Sequence, residues 1–407
     1  MINKKTPQIR FKEFSKEWDL RNLSEIALYR NGKAHEQDIS ETGNFIVVNS
    51  KFVSTNGRIR KFSNKQIEPL EKDEIAFVLS DVPNGKALAR TFLVPESNKF
   101  SLNQRIAGIK PYHFTDSYFL SELMNRNRYF LKFDDGIGQT NLSKEAVENF
   151  GAFYPEVEEQ IKIGSFLKDL DETITMEQQE LASLKQTKQG FLQKMFPKTG
   201  AFIPEFRFPD FKGEWRQLTL KEYVGGVSDG DWIQKEHIHD SGNYRIIQTG
   251  NLGIGVYIDK IKHSKYLNED SFQELKANEI FKGDILISRL AEPAGRTIIL
   301  PEISSKAVTA VDVAVIRPSE YFNSYFLMTE MNSPDLLNAI SKHVSGTSHK
   351  RLSRKNLEKI ILNIPSIEEQ KKIGEFFKNL DEAIALQEKE IDTLKQTKKA
   401  FLQKMFV

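Results

Sequence analysis

The chain has no cysteine in its 407 residues, which excludes disulfide bonds and thiolate metal sites. No apolar run approaches the ~18 residues of a membrane span, and the opening stretch MINKKTPQIRFKEF has no apolar signal core. A cytoplasmic protein is expected. There is no strong excess of charge: 58 Lys and Arg against 56 Asp and Glu leave a net +2. A protein that grips DNA unaided is usually more basic, so DNA binding here requires clustered cations or a partner that shares the phosphate contacts. The hydrophobic fraction of 39% and charged fraction of 28% are ordinary for a globular chain with room for about two to three domains.

The usual catalytic signatures are missing as well. A G-x-x-x-x-G-K-[ST] phosphate loop is absent, since Gly32-Lys33 and Gly85-Lys86 lack the preceding glycine. There is no G-x-S-x-G elbow, no H-E-x-x-H pair, and no Asn/Asp-Pro-Pro-aromatic adenine-methyltransferase motif. His237 and His239 lie close in sequence without companion ligands. Pro209-Asp210…Glu214-Trp215-Arg216 loosely mimics a nuclease metal site, but Arg216 stands where a lysine belongs and the first copy of this segment has no such set. The expectation is a non-catalytic chain with no cofactor and no metal.

What the sequence does have is duplication. Pro155–Phe196 and Pro365–Phe406 align without a gap and match at about 25 of roughly 42 positions. Each is preceded, far upstream, by the same P-x-x-R-F-x-x-F-x-x-E-W opening motif: Pro7 to Trp18, then Pro204 to Trp215. A core role is expected for these aromatics. In the long copies, a proline start, a Glu-rich first turn and a Lys-rich end suit a helix and its macrodipole. Apolar residues step by four and three: Ile163, Leu167, Leu170, Ile174, Leu181, Leu184, Phe191 and Met195 in one copy. The other gives Ile373, Phe377, Leu380, Ile384, Ile391, Leu394, Phe401 and Met405. That is a heptad seam, interrupted at equivalent places by Glu177 and Lys188, and by Gln387 and Lys398. The two helices are expected to pair with each other, antiparallel, about a pseudo-two-fold axis. Polar seam residues would then fix the register.

The segments between are mixed. Strand-like runs at Phe45–Val48, Glu74–Leu79, Arg90–Val94 and Ile106–Ile109 precede a helical pattern over 117–134. Runs at Tyr244–Gln248, Asp284–Arg289, Thr297–Leu300 and Asp312–Arg317, then helical stretches at 324–332 and 334–344, repeat that order. Each ends in a Gly-rich polar loop, a Leu-Ser-basic triplet (Leu142-Ser143-Lys144; Leu352-Ser353-Arg354) and a short strand, 150–154 or 360–364. The fold class expected is α+β: two tandem α/β domains separated by two long helices pairing as an antiparallel coiled coil. The boundaries are 1–154 and 201–364 for the domains, 155–200 and 365–407 for the helices. The frame repeats while the detailed filling diverges.

The divergent turns are rich in the side chains that bond base edges and phosphates. In the first domain the DNA-contact candidates are Lys51, Asn56, Arg58, Arg60, Lys61, Asn84, Lys86, Arg90, Asn103, Gln104, Arg105, Gln139 and Asn141. In the second they are Arg245, Gln248, Asn251, Arg289, Arg296, Thr347, His349, Lys350 and Arg351. Any one of these alone reads as a solvated loop residue. Together, on two unlike domains, they point to DNA.

The pattern resembles the specificity subunit of type I restriction–modification enzymes in its full-length form with two target-recognition domains. The residues carrying the resemblance are Pro155, Glu159-Gln160, Ile163-Gly164, Leu170-Asp171, Leu184-Lys185 and Phe191–Phe196, with counterparts Pro365, Glu369-Gln370, Ile373-Gly374, Leu380-Asp381, Leu394-Lys395 and Phe401–Phe406. The resemblance implies that each domain reads one half of a bipartite, asymmetric DNA target. It also implies that two methyltransferase subunits carry S-adenosylmethionine and restriction subunits carry ATP and Mg. It makes Glu159, Gln160, Leu170, Leu184, Lys185, Glu369, Gln370, Leu380, Leu394 and Lys395 candidates for subunit docking or the spacer role. A coiled-coil adaptor, or a decoy copy that does not itself read DNA, is the competing expectation.

Overall fold

The computed structural model describes residues 6–198, 200–290, 293–344 and 350–407. It divides into two compact units: unit 1 comprises Met1–Gln178 with Lys389–Val407, and unit 2 comprises Gln179–Glu388. Both long repeats are helical, over Val157–Lys194 and Ile367–Met405. Each helix starts two residues after its proline, and the first stops just before Phe196-Pro197.

In unit 1, a four-stranded antiparallel sheet runs in the order Ala27–Asn31, Ile106–Pro111, Ile75–Val78, Thr91–Leu93. A five-stranded sheet is built around the parallel pair Phe45–Val48 and Phe100–Leu102. The β-branched run at 45–48 and the apolar run at 75–78 form buried strands because both their faces are covered. Unit 2 repeats the plan. One antiparallel sheet runs Ser228–Asp229, Val313–Ile316, Ile285–Ser288, Thr297–Ile299, and a second contains the parallel pair Tyr244–Ile247 and Lys306–Thr309. In each unit, the strand after the opening motif pairs antiparallel with the strand before the long helix: Asp19–Asn22 with Gly151–Tyr154, and Arg216–Thr219 with Ile361–Ile364.

The helix pattern over 117–134 is not one helix. It breaks into Ser117–Met124 and Arg128–Leu131. Asn127 caps the second piece by accepting from the Tyr129 amide, and Arg126 adopts a left-handed conformation with φ of 55°. The Arg126 amide donates to Ala89 O at 2.7 Å, and its guanidinium donates to Gly85 O and Leu88 O. Those tertiary bonds outweigh the local helical preference.

Antiparallel helix pairing is present within each unit. In unit 1, Phe166 meets Phe401 edge-on with centroids 4.9 Å apart, and Asp171 meets Lys398 at 2.6 Å. In unit 2, Phe191 meets Phe376 at 4.9 Å, and Lys188 meets Asp381. Ile163, Leu167, Ile174, Met195, Ile373, Phe377, Ile391 and Met405 of the heptad seam are buried; its other members are half-buried. The Lys-Met-Phe end of each helix enters a core. Phe406 packs on Phe119 in unit 1, and Phe196 packs on Trp215, Phe326 and Phe377 in unit 2. Main-chain bonds fix these ends, from the Ile9 amide to Lys404 O at 3.0 Å and from the Phe206 amide to Lys194 O at 2.8 Å.

Candidate functional site

The repeated motifs build the roots of the long helices. Glu159 and Glu369 are fully buried, and each accepts two bonds from the arginine of an opening motif: Arg10 Nε and Nη2 at 2.7 Å each, and Arg207 Nε at 2.7 Å and Nη2 at 2.8 Å. The fork geometry matches guanidinium to carboxylate and leaves neither charge buried alone. The bonds to Glu159 hold the Arg10 guanidinium above the ordinary arginine range. Gln160 Oε1 accepts from the Asp116 amide and Gln370 Oε1 from the Asn323 amide, both at 3.1 Å. Their side-chain amides donate to Pro155 O and Pro365 O. Asp116 and Asn323 in turn cap the Ser117–Met124 and Ser324–Met331 helices. Those caps explain the repeated glycine: a Cβ on Gly164 would lie 2.3 Å from Asp116 Oδ1, and one on Gly374 2.2 Å from Asn323 Oδ1.

About two turns further on, the seam lysines Lys398 and Lys188 are occupied. Asp171 accepts from Lys398 Nζ at 2.6 Å and from the Tyr118 hydroxyl at 2.5 Å. Asp381 accepts from Lys188 Nζ and from the Tyr325 hydroxyl, the latter at 2.7 Å. Burial, reinforced by the bonded aspartates, pushes both phenols far above their usual range. The sequence signal for this Tyr–Asp–Lys arrangement is the tetrapeptide Ser-Tyr-Phe-Leu, present at both 117–120 and 324–327.

Of the docking and spacer candidates, Glu159, Gln160, Glu369 and Gln370 are therefore buried in contacts of this chain and present no surface. Leu170, Leu184, Leu380 and Leu394 are half-buried along the helices. Lys185 is exposed and pairs with Glu388 at 2.5 Å, while Lys395 lines a polar pocket of about 600 Å³ with Lys398 and Lys399.

The DNA-contact candidates of unit 1 fall into three groups. Lys51, Asn56, Arg58, Arg60 and Lys61 are all exposed, on and after the short helix Ser50–Ser54. Asn84, Lys86, Arg90, Gln139 and Asn141 gather where Thr140–Asn141 pairs with Ser80–Asp81. Here Arg90 Nε donates to Lys86 O at 2.6 Å, and Gln139 donates to the Ser80 hydroxyl at 2.6 Å. Asn103, Gln104 and Arg105 form a separate turn, with Gln104 bonded to Glu36. Asn56 and Arg90 line the same pocket as Lys395, which joins the first two groups.

Unit 2 treats its candidates differently. Arg245 is buried and held by Asp259 at 2.5 Å, and buried Asn251 donates to Ile258 O. Arg296 donates to Thr249 O, and burial lowers its pKa. Gln248 is exposed, and Arg351 is partly exposed beside Asp312 at 2.7 Å. Lys350 is exposed; Thr347 and His349 lie outside the described residues. Arg289 is buried against Asp229 at 2.8 Å, in a cluster that also holds Arg354 and Lys355. Arg354 was visible in the sequence only as the basic end of the Leu-Ser-basic triplet, and Asp229 carried no signal. Among the described residues no group of three or more His, Asp or Glu side chains could hold a metal, and no helix is long and apolar enough to cross a membrane.

A family profile described as the type I restriction modification DNA specificity domain matches residues 15–186 and again 212–396. The type I restriction enzyme MjaVIII specificity subunit of Methanocaldococcus jannaschii is 23% identical over 400 residues, covering 95% of this chain and 91% of the relative. The crystal structure of the type I restriction-modification S subunit from M. genitalium superposes with a TM-score of 0.65 at 15% identity, covering 99% of each chain. A second solved structure, from work on complex assembly and conformational transition of the type I system, gives a TM-score of 0.55 at 18% identity over 95% of this chain and 97% of that one.

Proposed function

The chain belongs to the type I restriction modification DNA specificity family, and from that premise we propose that it is the DNA-reading, non-catalytic subunit of a methyltransferase and endonuclease complex. Residues 1–154 and 201–364 are the two readers, and 155–200 and 365–407 are the spacer helices. Each reader takes one half of an asymmetric, bipartite duplex target. The observation that carries this reading is the contrast inside one chain. Root contacts repeat atom for atom (Arg10–Glu159 and Arg207–Glu369), whereas the exposed polar turns above them are unlike. A chain built only for scaffolding has no physical reason to keep its roots and diversify its turns. Lys51, Asn56, Arg58, Arg60, Lys61, Asn84, Lys86, Gln104, Arg105, Gln139, Asn141, Gln248 and Lys350 are the exposed reading candidates, and Arg351 is partly exposed. Arg245 and Asn251 act by holding the turns that present them.

The modest net charge of +2 fits shared neutralisation of phosphates by methyltransferase subunits, which would supply S-adenosylmethionine and adenine methylation. Restriction subunits would supply the ATP- and Mg-dependent step. Co-expression with the cognate methyltransferase subunit, followed by mapping of methylated adenines, tests the reading. The expected result is a two-part motif with unlike halves. A continuous or symmetric motif would sink the bipartite asymmetric reading, and an unmethylated genome would favour the decoy or adaptor.

A further inference from the structure

Unit 2 contains a polar pocket of about 640 Å³ lined by Asp229, Arg289, Val311, Arg351, Ser353, Arg354, Lys355 and Glu358. Four cations, Arg289, Arg351, Arg354 and Lys355, meet three carboxylates, Asp229, Asp312 and Glu358. Arg289 is the most recessed member at 5%, and the Asp229, Asp312 and Glu358 side chains are 36%, 25% and 20% exposed, against 42% for Arg351 and 50% for Arg354. The two most exposed of these paired charges are therefore cationic, each braced by a less exposed acid.

Arg289 is the floor. Its side chain is 5% exposed, with Nη1 2.8 Å from Asp229 Oδ1 and Nη2 bonded to Val311 O. Its amide donates to Asp312 O, and its carbonyl accepts from the Leu352 amide, so its backbone is fixed on both sides. Yet Nε is buried without a hydrogen-bond partner, and Asp229 Oδ1 and Asp312 Oδ1 are too, despite their ion-pair distances. Burial and the neighbouring Arg351 and Arg354 charges lower the Arg289 pKa. A buried guanidinium with an idle donor beside two exposed ones is an arrangement that an anion stabilises, because planar guanidinium groups fit phosphate oxygens.

We propose that this pocket seats one phosphodiester group of duplex DNA, with Arg351, Arg354 and Lys355 as donors and Arg289 as the buried charge beneath them. The phosphodiester as occupant rests on the DNA-reading function above. Among the described residues, unit 1 has no such seat at the equivalent place. The Leu142 amide bonds Leu79 O there as the Leu352 amide bonds Arg289 O here, so Leu79 stands in place of Arg289. Asn141 stands in place of Arg351 in the equivalent bridge, and Lys144 in place of Arg354 after the capping serine. The seat would therefore grip only the half-site read by unit 2.

Duplex binding by the full chain co-purified with its methyltransferase subunits, titrated across salt concentrations, tests this. Arg351→Gln/Arg354→Gln should lose about tenfold in affinity and flatten the log–log salt slope by about 0.9, the contribution of one phosphate. Lys212→Gln/Lys282→Gln, with the same change in charge elsewhere on unit 2, should stay within about twofold of wild type. If the parent binds and the arginine variant behaves like the lysine variant, the seat is overturned while the DNA reading stands. If no duplex binds at all, the DNA reading falls and the ³¹P resonance of inorganic phosphate decides the seat alone. Broadening by the parent chain and not by the arginine variant retains an anion site; equal or absent broadening removes it.

Discussion

Unit 1 and unit 2 carry the same Tyr–Asp–Lys contact beside their helix pairs, but they surround it differently. In unit 1, Lys398 is held by Asp171 and also by Glu122 at 3.0 Å, the latter 10% exposed and raised in pKa by burial. In unit 2, Ser-Tyr-Phe-Leu alignment puts Thr329 at the position of Glu122, and Lys188 has Asp381 alone among these acids. One residue later the order reverses: unit 1 has Leu123, and unit 2 has Glu330, fully buried. The duplicated root is thus kept as a geometry while buried charge moves around it. Each unit can be perturbed on its own, and the difference between paired variants reads what the duplication left shared.

The largest effect is expected where the units are most alike. Arg10→Ala strands a fully buried Glu159, and Arg207→Ala strands Glu369. Removing one partner of a buried, bidentate pair costs about 3–5 kcal/mol. Hydrogen exchange should show Arg10→Ala deprotecting unit 1 amides and Arg207→Ala deprotecting unit 2 amides, by similar amounts. A cost below about 1 kcal/mol at either site would mean that the opening motif does not anchor the helix.

Next comes the pair that should differ. Lys398→Met leaves Asp171 and the buried Glu122 facing each other without a cation, whereas Lys188→Met leaves only Asp381. The first substitution should cost about 2–3 kcal/mol and the second about 1. Adding Glu122→Gln to Lys398→Met should recover part of the loss in denaturant titrations. Equal costs at the two lysines would show that Glu122 is protonated and carries no charge for Lys398 to balance.

These contacts also show where sequence reading succeeds. Heptad spacing and the Glu-Gln-x-x-Ile-Gly motif located the helices, their seam and its polar interruptions, because period and repetition are local signals. What escaped was set by distant packing. The break at Asn125–Asn127 depends on Ala89, Gly85 and Leu88 carbonyls some 40 residues away in sequence. Arginines 245, 289 and 296 read as free basic side chains, but burial against Asp259, Asp229 and Thr249 removes or redirects them. A basic residue in a turn has the same letter whether it faces solvent or a recessed carboxylate. Sequence could name the population of DNA candidates, and only the fold could sort it.

The last expected effect is a pH dependence rather than a fixed loss; it belongs to Glu330 and has no counterpart in unit 1. Its Oε1 accepts from the Asn363 amide at 2.7 Å, which favours the charged form, while Oε2 is buried without a partner. Burial wins and pushes the carboxyl up to about 8 from an ordinary 4.5. It also faces the Tyr223 phenol, which it helps to keep protonated. Between those two values the folded chain holds a proton that the unfolded chain has released. Stability is therefore fully present below about pH 4.5 and declines as pH rises through about 8, by at most ~1.4 kcal/mol per unit. Glu330→Gln keeps the shape and removes the titration. The stability difference between wild type and Glu330→Gln, from denaturant midpoints at pH 5, 6.5 and 8, should widen with pH, while Leu123→Met in unit 1 should give a difference that does not change. A pH-independent gap at Glu330 would mean that its carboxylate is solvated in the folded state, and that unit 2 differs from unit 1 there in residue only and not in charge.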